Sequence, residues 1–240
     1  MRKMLIPLAI IGSLSAPFSF ATEFSDSIKE AMKSEIRTEA EKKRDRNRKP
    51  VETLEFFGIK KDSKVLELIP GGGWYTKLLA PALREEGKLY LSLGTDYLKD
   101  KLLKDKQFNK VKTVGPEDYE MKNLNFEVTD MDAVLTFRNY HNFKEESRNS
   151  MNKAAFKALK PGGIYGVVDH SRRHMQKKNN QNGRRFDPVL AIKEIQAAGF
   201  VFVDYSDVHY KHDDELRFEV GSKTISGNSD RFTLLFKKPE

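Results

Sequence analysis

The chain has 240 residues, 43 Lys and Arg against 35 Asp and Glu, a formal charge of +8, and no cysteine. That length suits one α/β domain or two small ones with a sizeable core, and 38% hydrophobic content with 16 Phe and 8 Tyr excludes extensive disorder. Without Cys there is no disulfide scaffold, thiolate zinc site, CxxC redox pair or cysteine nucleophile, whereas the basic balance alone fits nucleic acid, an anionic surface, an acidic small molecule or plain solubility.

Arg2 and Lys3 precede an uncharged apolar run from Met4 to Leu14, and Ser19-Phe20-Ala21 follows as a small-x-small exit. These are the marks of an export signal over residues 1–21. A membrane span needs about 20 apolar residues, and Pro7, Gly12 and Pro17 interrupt this run. Cleavage after Ala21 would remove two positive charges. It predicts an exported protein, periplasmic if the source is a Gram-negative bacterium and otherwise secreted, with no transmembrane segment in the mature chain.

Residues 22–50 read as a helical arm. Ile28, Met32, Ile36 and Ala40 recur every fourth position, predicting one helix from about Asp26 to Arg48, which Pro50 ends. Residues 51–240 then read as one domain. Strands are predicted at Val65–Ile69, Lys88–Leu93, Val111–Val114, Asp132–Phe137, Ile164–Val168, Phe200–Asp204 and Arg231–Phe236. Helices are predicted through Trp74, Leu78 and Leu79, over about Glu145 to Leu159, and over about Val189 to Ala198. Such alternation argues for a mostly parallel sheet with helices on both faces, and the missing helix between the last two strands makes one of them antiparallel. Residues 172–185, rich in Lys, Arg, Asn and Gln, read as a long polar loop.

In open α/β sheets, ligands sit outside the carboxyl ends of the strands. The first strand runs into Pro70-Gly71-Gly72-Gly73, a glycine-rich turn that lets backbone approach a ligand and presents helix N-terminal amides. His141 follows the fourth strand and Asp169-His170 the fifth. Imidazole titrates near neutrality, so either histidine suits proton transfer; hydrogen bonding within its own loop is the plainer alternative for each.

With these pieces in order, the chain resembles the class I S-adenosylmethionine-dependent methyltransferases. The resemblance is carried by Val65–Gly73 with its acidic residue, Asn139-Tyr140-His141, Leu159-Lys160-Pro161-Gly162-Gly163, and Ala198-Gly199-Phe200. More narrowly, Arg44-Asp45-x-x-Arg48-x-Pro50, Tyr140-His141, Asp169-His170-Ser171 and Arg185-Phe186-Asp187 are similar to motifs of a group of predicted methyltransferases that carry signal peptides. The resemblance implies a three-layer Rossmann-like fold with a seven-stranded sheet, and S-adenosylmethionine as cofactor. It places Glu67 near the cofactor's amino acid moiety and matches Gly71 and Gly73 to the last two of three glycines, with Ile69 where the first would stand. Family members usually end the second strand with Asp or Glu on the ribose hydroxyls; this one ends Leu91-Ser92-Leu93-Gly94, and Asp96 comes two residues late.

Trp74 and Tyr75 are candidates for stacking on an adenine, with core packing as the alternative. His141, Asp169 and His170 are the expected reacting side. Arg44, Asp45, Arg48, Arg185 and Asp187 are candidates for an anionic substrate, since bidentate arginine suits a carboxylate or phosphate; surface pairing, or an internal pair among Asp169, Arg185 and Asp187 that orders the polar loop, is the alternative. His209 and His212 beside Asp213 and Asp214 suggest a metal, but that spacing on a strand or turn sets the rings on opposite faces, so none is expected. The basic runs are scattered and lack a recognition motif, so no nucleic acid partner is expected. Two functions remain: an exported methyltransferase acting on a small or envelope-associated acceptor, and a non-catalytic protein on the same scaffold that holds an anionic small molecule.

Overall fold

The computed structural model describes residues 19–116 and 121–240; the expected signal segment therefore lies, through residue 18, outside the described residues. Seven strands, β1 (Lys64–Leu68), β2 (Lys88–Ser92), β3 (Lys112–Thr113), β4 (Met131–Phe137), β5 (Leu159–His170), β6 (Val201–Ser206) and β7 (Arg231–Lys237), form one sheet in the order β3-β2-β1-β4-β5-β7-β6. Pairings from β3 through β5 are parallel. β7 runs antiparallel to both β5 and β6.

β1 shows why the centre reads as a near-continuous apolar run. Val65 packs into one core layer and Leu66 and Leu68 into the other, because successive side chains leave opposite faces of a sheet covered on both sides. Helices α1 (Ser19–Lys33), α4 (Pro50–Phe56), α5 (Thr76–Ala82) and α6 (Asp96–Lys101) cover the first face. Helices α7 (Glu145–Ala158) and α8 (Pro188–Ala197) cover the second. The segment Lys160–Gly163 forms a bulge at the start of β5, where the partner of β4 jumps from Leu159 to Ile164 and Gly162 takes φ +75°.

The single arm helix expected from Asp26 to Arg48 is corrected. α1 stops at Lys33, and two short helices follow, α2 (Glu39–Lys42) and α3 (Asp45–Arg48). The cause is Arg37, 2% exposed, whose guanidinium turns inward to the Met32 carbonyl and to both carboxylate oxygens of Asp45. Thr38 then restarts a helix through a reciprocal capping box with Glu41. A stripe of apolar residues at helical spacing cannot report such a buried polar break. Pro50 begins α4 at its first helical position, after Lys49 at φ +36°.

Chain order reverses between β1, whose other neighbour is β2, and β4, whose other neighbour is β5. The arm lies over this switch point. Trp74 Nε1 donates to the Glu41 carbonyl at 3.0 Å, Lys77 binds the Glu41 carboxylate at 2.8 Å, and His209 Nε2 donates to the Arg48 carbonyl at 2.9 Å. Among the described residues, no helix is long and apolar enough to cross a membrane.

Candidate functional site

A cavity of about 270 Å³ opens at the switch point, lined by Glu67 of β1 and Ile69–Gly72 after it, by Phe137 at the end of β4 with Arg138 and Asn139 after it, and by Glu41, Arg44 and Arg48 from the arm. Its floor begins with backbone geometry. Ile69, with Pro70 behind it, occupies the left-handed region at φ +55°, a conformation that costs a branched residue about 1–3 kcal/mol. It is held there by its N–H on the Ser92 carbonyl and by Asn139 Nδ2 on its own carbonyl. Beyond it, a Cβ on Gly71 or Gly72 would meet nothing within 4 Å, so the turn leaves open space in the wall. Gly73 serves packing, since a Cβ there would strike Leu98 of α6 at 2.9 Å.

Glu67 lies at the bottom, 2% exposed, accepting a 2.7 Å hydrogen bond from Thr76 Oγ1. Burial pushes its carboxyl up to about 7, with the Thr76 hydroxyl and the Arg48 charge offsetting part of the rise. Trp74 and Tyr75 line the cavity with rings already packed. Tyr75 stacks on Phe137 with centroids 3.6 Å apart, and Trp74 lies beneath the Arg48 guanidinium at 4.4 Å. They form wall rather than an open stacking platform.

His141, Asp169 and His170 gather beside the cavity. Asp169, fully buried, accepts from the backbone N–H of His141 at 2.8 Å, from that of His170 at 2.7 Å, and from His141 Nδ1 at 2.7 Å. Those bonds make Nδ1 the donor to Asp169 and leave Nε2 as the ring nitrogen not engaged by it. His170 differs. Its Nε2 accepts from Arg138 Nε at 3.3 Å and its Nδ1 contacts Ser229 Oγ at 2.8 Å. Burial, then the charges of Arg231 and Arg138, hold it well below the usual imidazole range. His170 is therefore a neutral residue that positions Arg138, not the proton acceptor the sequence suggested.

The substrate candidates divide. Arg44 and Arg48 line the cavity. Asp45 is spent on Arg37 inside the arm. Arg185 forms a fully buried bidentate pair with Asp214, both bonds 2.9 Å, and also holds the Ser171 and Phe218 carbonyls. Asp187 caps α8 through the Val189 and Leu190 N–H groups and takes His174 Nδ1. Arg185 and Asp187 thus fasten the polar loop without joining each other or Asp169. His209 places both nitrogens on protein, Nδ1 on Thr233 Oγ1 at 2.7 Å and Nε2 on Arg48.

Arg138, which lines the cavity, and Arg231, buried near enough for its charge to act on Arg48 and Arg138, were missed. Arg231 opens β7 and pairs in register with His170, its guanidinium reaching the Asn47 carbonyl of the arm at 2.6 Å. A usable signal existed: an antiparallel final strand brings its first residue, not its last, to the carboxyl edge of the parallel strands. At the end of β2, Ser92 is fully buried with an unpartnered hydroxyl, while Asp96 is exposed and pairs with Lys99.

No protein-family model matches the chain, and no curated protein matches it in sequence. Solved structures do. A SAM-dependent methyltransferase from Aquifex aeolicus superposes with a TM-score of 0.61 at 16% identity, covering 89% of this chain and 97% of that one. The 4+2 cyclase SpnF gives 0.59 at 15% identity over 80% of each chain. A TehB-like SAM-dependent methyltransferase from Corynebacterium glutamicum gives 0.55 at 14% identity, covering 79% of this chain and 86% of that one. At such identities the likeness speaks to architecture. The chain has the Rossmann-like α/β fold of the SAM-dependent methyltransferases, its seven-stranded sheet closed by an antiparallel last strand.

Proposed function

We propose that the protein is an exported S-adenosylmethionine-dependent methyltransferase acting on a small or envelope-associated acceptor. The observation that carries this reading is the juxtaposition, at one switch point, of buried Glu67, the open Gly71-Gly72 turn and the His141–Asp169 pair. The residues present fit the cofactor's amino acid end: Glu67 meets an ammonium, Arg44 or Arg48 meets a carboxylate, and the two glycines leave room for both. The cofactor would supply a methyl group on sulfonium. His141 Nε2 accepts the acceptor's proton, with Asp169 holding the ring through Nδ1 and offsetting the imidazolium charge. Arg138, fixed by His170, faces the same cavity and orients an acceptor carrying negative charge.

Export is supported by the charged, apolar and small-residue sequence of residues 1–21. Phe24 and Ile28 of α1, both core residues, lie beyond the expected cleavage point and stay with the mature chain. A second reading, a binding protein that holds an anion and no nucleoside, is favoured by Ser92: the strand end where the family keeps a ribose carboxylate is a sealed hydroxyl.

Calorimetric titration of the purified mature protein with S-adenosylmethionine and S-adenosylhomocysteine separates the two. Binding of either, weakened by Glu67→Ala, supports the transferase; no heat at millimolar nucleoside eliminates it.

A further inference from the structure

The cavity's electrostatics are out of balance. Arg44, Arg48 and Arg138 line it, and Arg231 stands behind them on β7. None of the four forms an ion pair with a carboxylate among the described residues; the bonds that Arg138 and Arg231 make go to an imidazole and to a carbonyl. Arg48 and Arg231 are each 8% exposed, and the Nε of Arg231 is buried without any partner. Burying like charges together is costly unless something compensates. The cost is visible in the guanidinium groups: burial, then Arg138, lowers Arg48 to about 9 and Arg231 to about 10. Asp169 acts on both Arg138 and Arg231 and is shared with His141, and Asp230 acts on Arg231 alone. Glu67, half protonated near pH 7, adds little negative charge. Four guanidinium groups, Arg44, Arg48, Arg138 and Arg231, against the two carboxylates of Asp169 and Asp230 leave a surplus of about two positive charges.

We propose that Arg48, Arg138 and Arg231 form a binding site for a dianionic oxyanion of the phosphate monoester class, reached through the cavity past Arg44. A phosphate monoester carries about −1.5 to −2 at neutral pH and three acceptor oxygens, matching both the surplus charge and the number of guanidinium groups. Planar guanidinium groups bind such oxygens in pairs of parallel bonds. Each arginine comes from a different piece of chain: the arm, the end of β4 and the start of β7. An occupied site would therefore also fasten the arm to the sheet. That the anion belongs to the methyl acceptor rests on the transferase reading; the site itself does not.

The test is calorimetry and thermal unfolding of the full mature chain with inorganic phosphate and phenyl phosphate at constant ionic strength, with chloride and succinate as comparison anions. Phosphate should bind and raise the melting temperature, and phenyl phosphate should bind more tightly because its ring enters the cavity. Arg138→Gln should weaken both by about tenfold to a hundredfold while raising the melting temperature of the ligand-free protein, since it relieves repulsion. A merely structural arginine would lower that temperature. Arg231→Lys, which keeps the charge and loses the planar fork, should weaken phosphate binding without unfolding the protein. Phosphate that binds no better than chloride, succinate that binds more tightly than phosphate, or unchanged affinity in both variants overturns the proposal. Nucleoside binding without phosphate binding removes this site alone; phosphate binding without nucleoside binding removes methyl transfer and leaves the site.

Discussion

Replacing the buried Glu67 by its neutral isostere isolates the cost of a carboxyl under the cavity floor. Burial raises the Glu67 carboxyl from 4.5 to about 7. A raised carboxyl pKa means that the folded state keeps a proton the unfolded chain has released. The associated stability is complete below the unfolded value and is lost as pH rises through about 7. Once both states are ionised, the fold bears about 3 kcal/mol. Glu67→Gln removes the titration but keeps an oxygen to accept from Thr76 Oγ1. Relative to the parent, the variant should therefore gain about 2–3 kcal/mol between about pH 5 and about pH 8.5. Urea unfolding of both proteins across that range, followed by circular dichroism with the denaturant slopes compared, measures the difference directly. A stability difference that does not change with pH would show a solvated or well-paired carboxylate and refute the closed floor. A difference of opposite sign would show that ionised Glu67 is stabilised by Arg48 more than burial penalises it.

Other consequences are equally open to measurement. His141→Gln should lower kcat for methyl transfer by about a hundredfold to ten-thousandfold at unchanged S-adenosylhomocysteine affinity; parallel loss of affinity would assign the residue a structural role. Arg185→Leu should destabilise the protein by about 3–5 kcal/mol, because it leaves Asp214 buried and uncompensated; an unchanged urea midpoint would contradict the pair. His209 is lowered from 6.5 to about 4 by burial and by the charges of Arg231, Lys49 and Lys211, so it lends stability above pH 6.5 that is lost as pH falls toward 4. His209→Gln should flatten this acid limb, and an identical limb in both proteins would show that the ring titrates normally. Finally, material recovered from the cell envelope should begin at Thr22, and an intact Met1 on cytoplasmic protein would refute export.

Much of the scaffold was legible because each strand carries its own signature. The apolar run Val65–Ile69, the glycine turn after it and the helix at Glu145 are local patterns, and all seven predicted strands exist within a few residues of their expected bounds. Glu67, Arg48 and His141 stood at positions where strand ends and motif order pointed. The arm was legible only in part, since Ile28 and Met32 are at helical spacing but the break depends on Arg37 finding Asp45 eight residues away. Asp45, Arg185 and Asp187 drew attention for the same chemistry that suits a ligand. Which of them meets a ligand and which meets the protein depends on partners remote in sequence, such as Asp214.

The sequence by itself therefore determined the layer order, the position of the glycine turn and the exclusion of cysteine chemistry, because these follow from hydrophobic period, backbone freedom and composition. Only the tertiary structure decided where the positive charge is concentrated. Arg48, Arg138 and Arg231 lie on the arm, after β4 and at the start of β7, and they converge because the sheet reverses order at β1 and β4 and its last strand runs backwards. Net charge counts residues, whereas the field at a site depends on which charges are buried side by side and which have been neutralised.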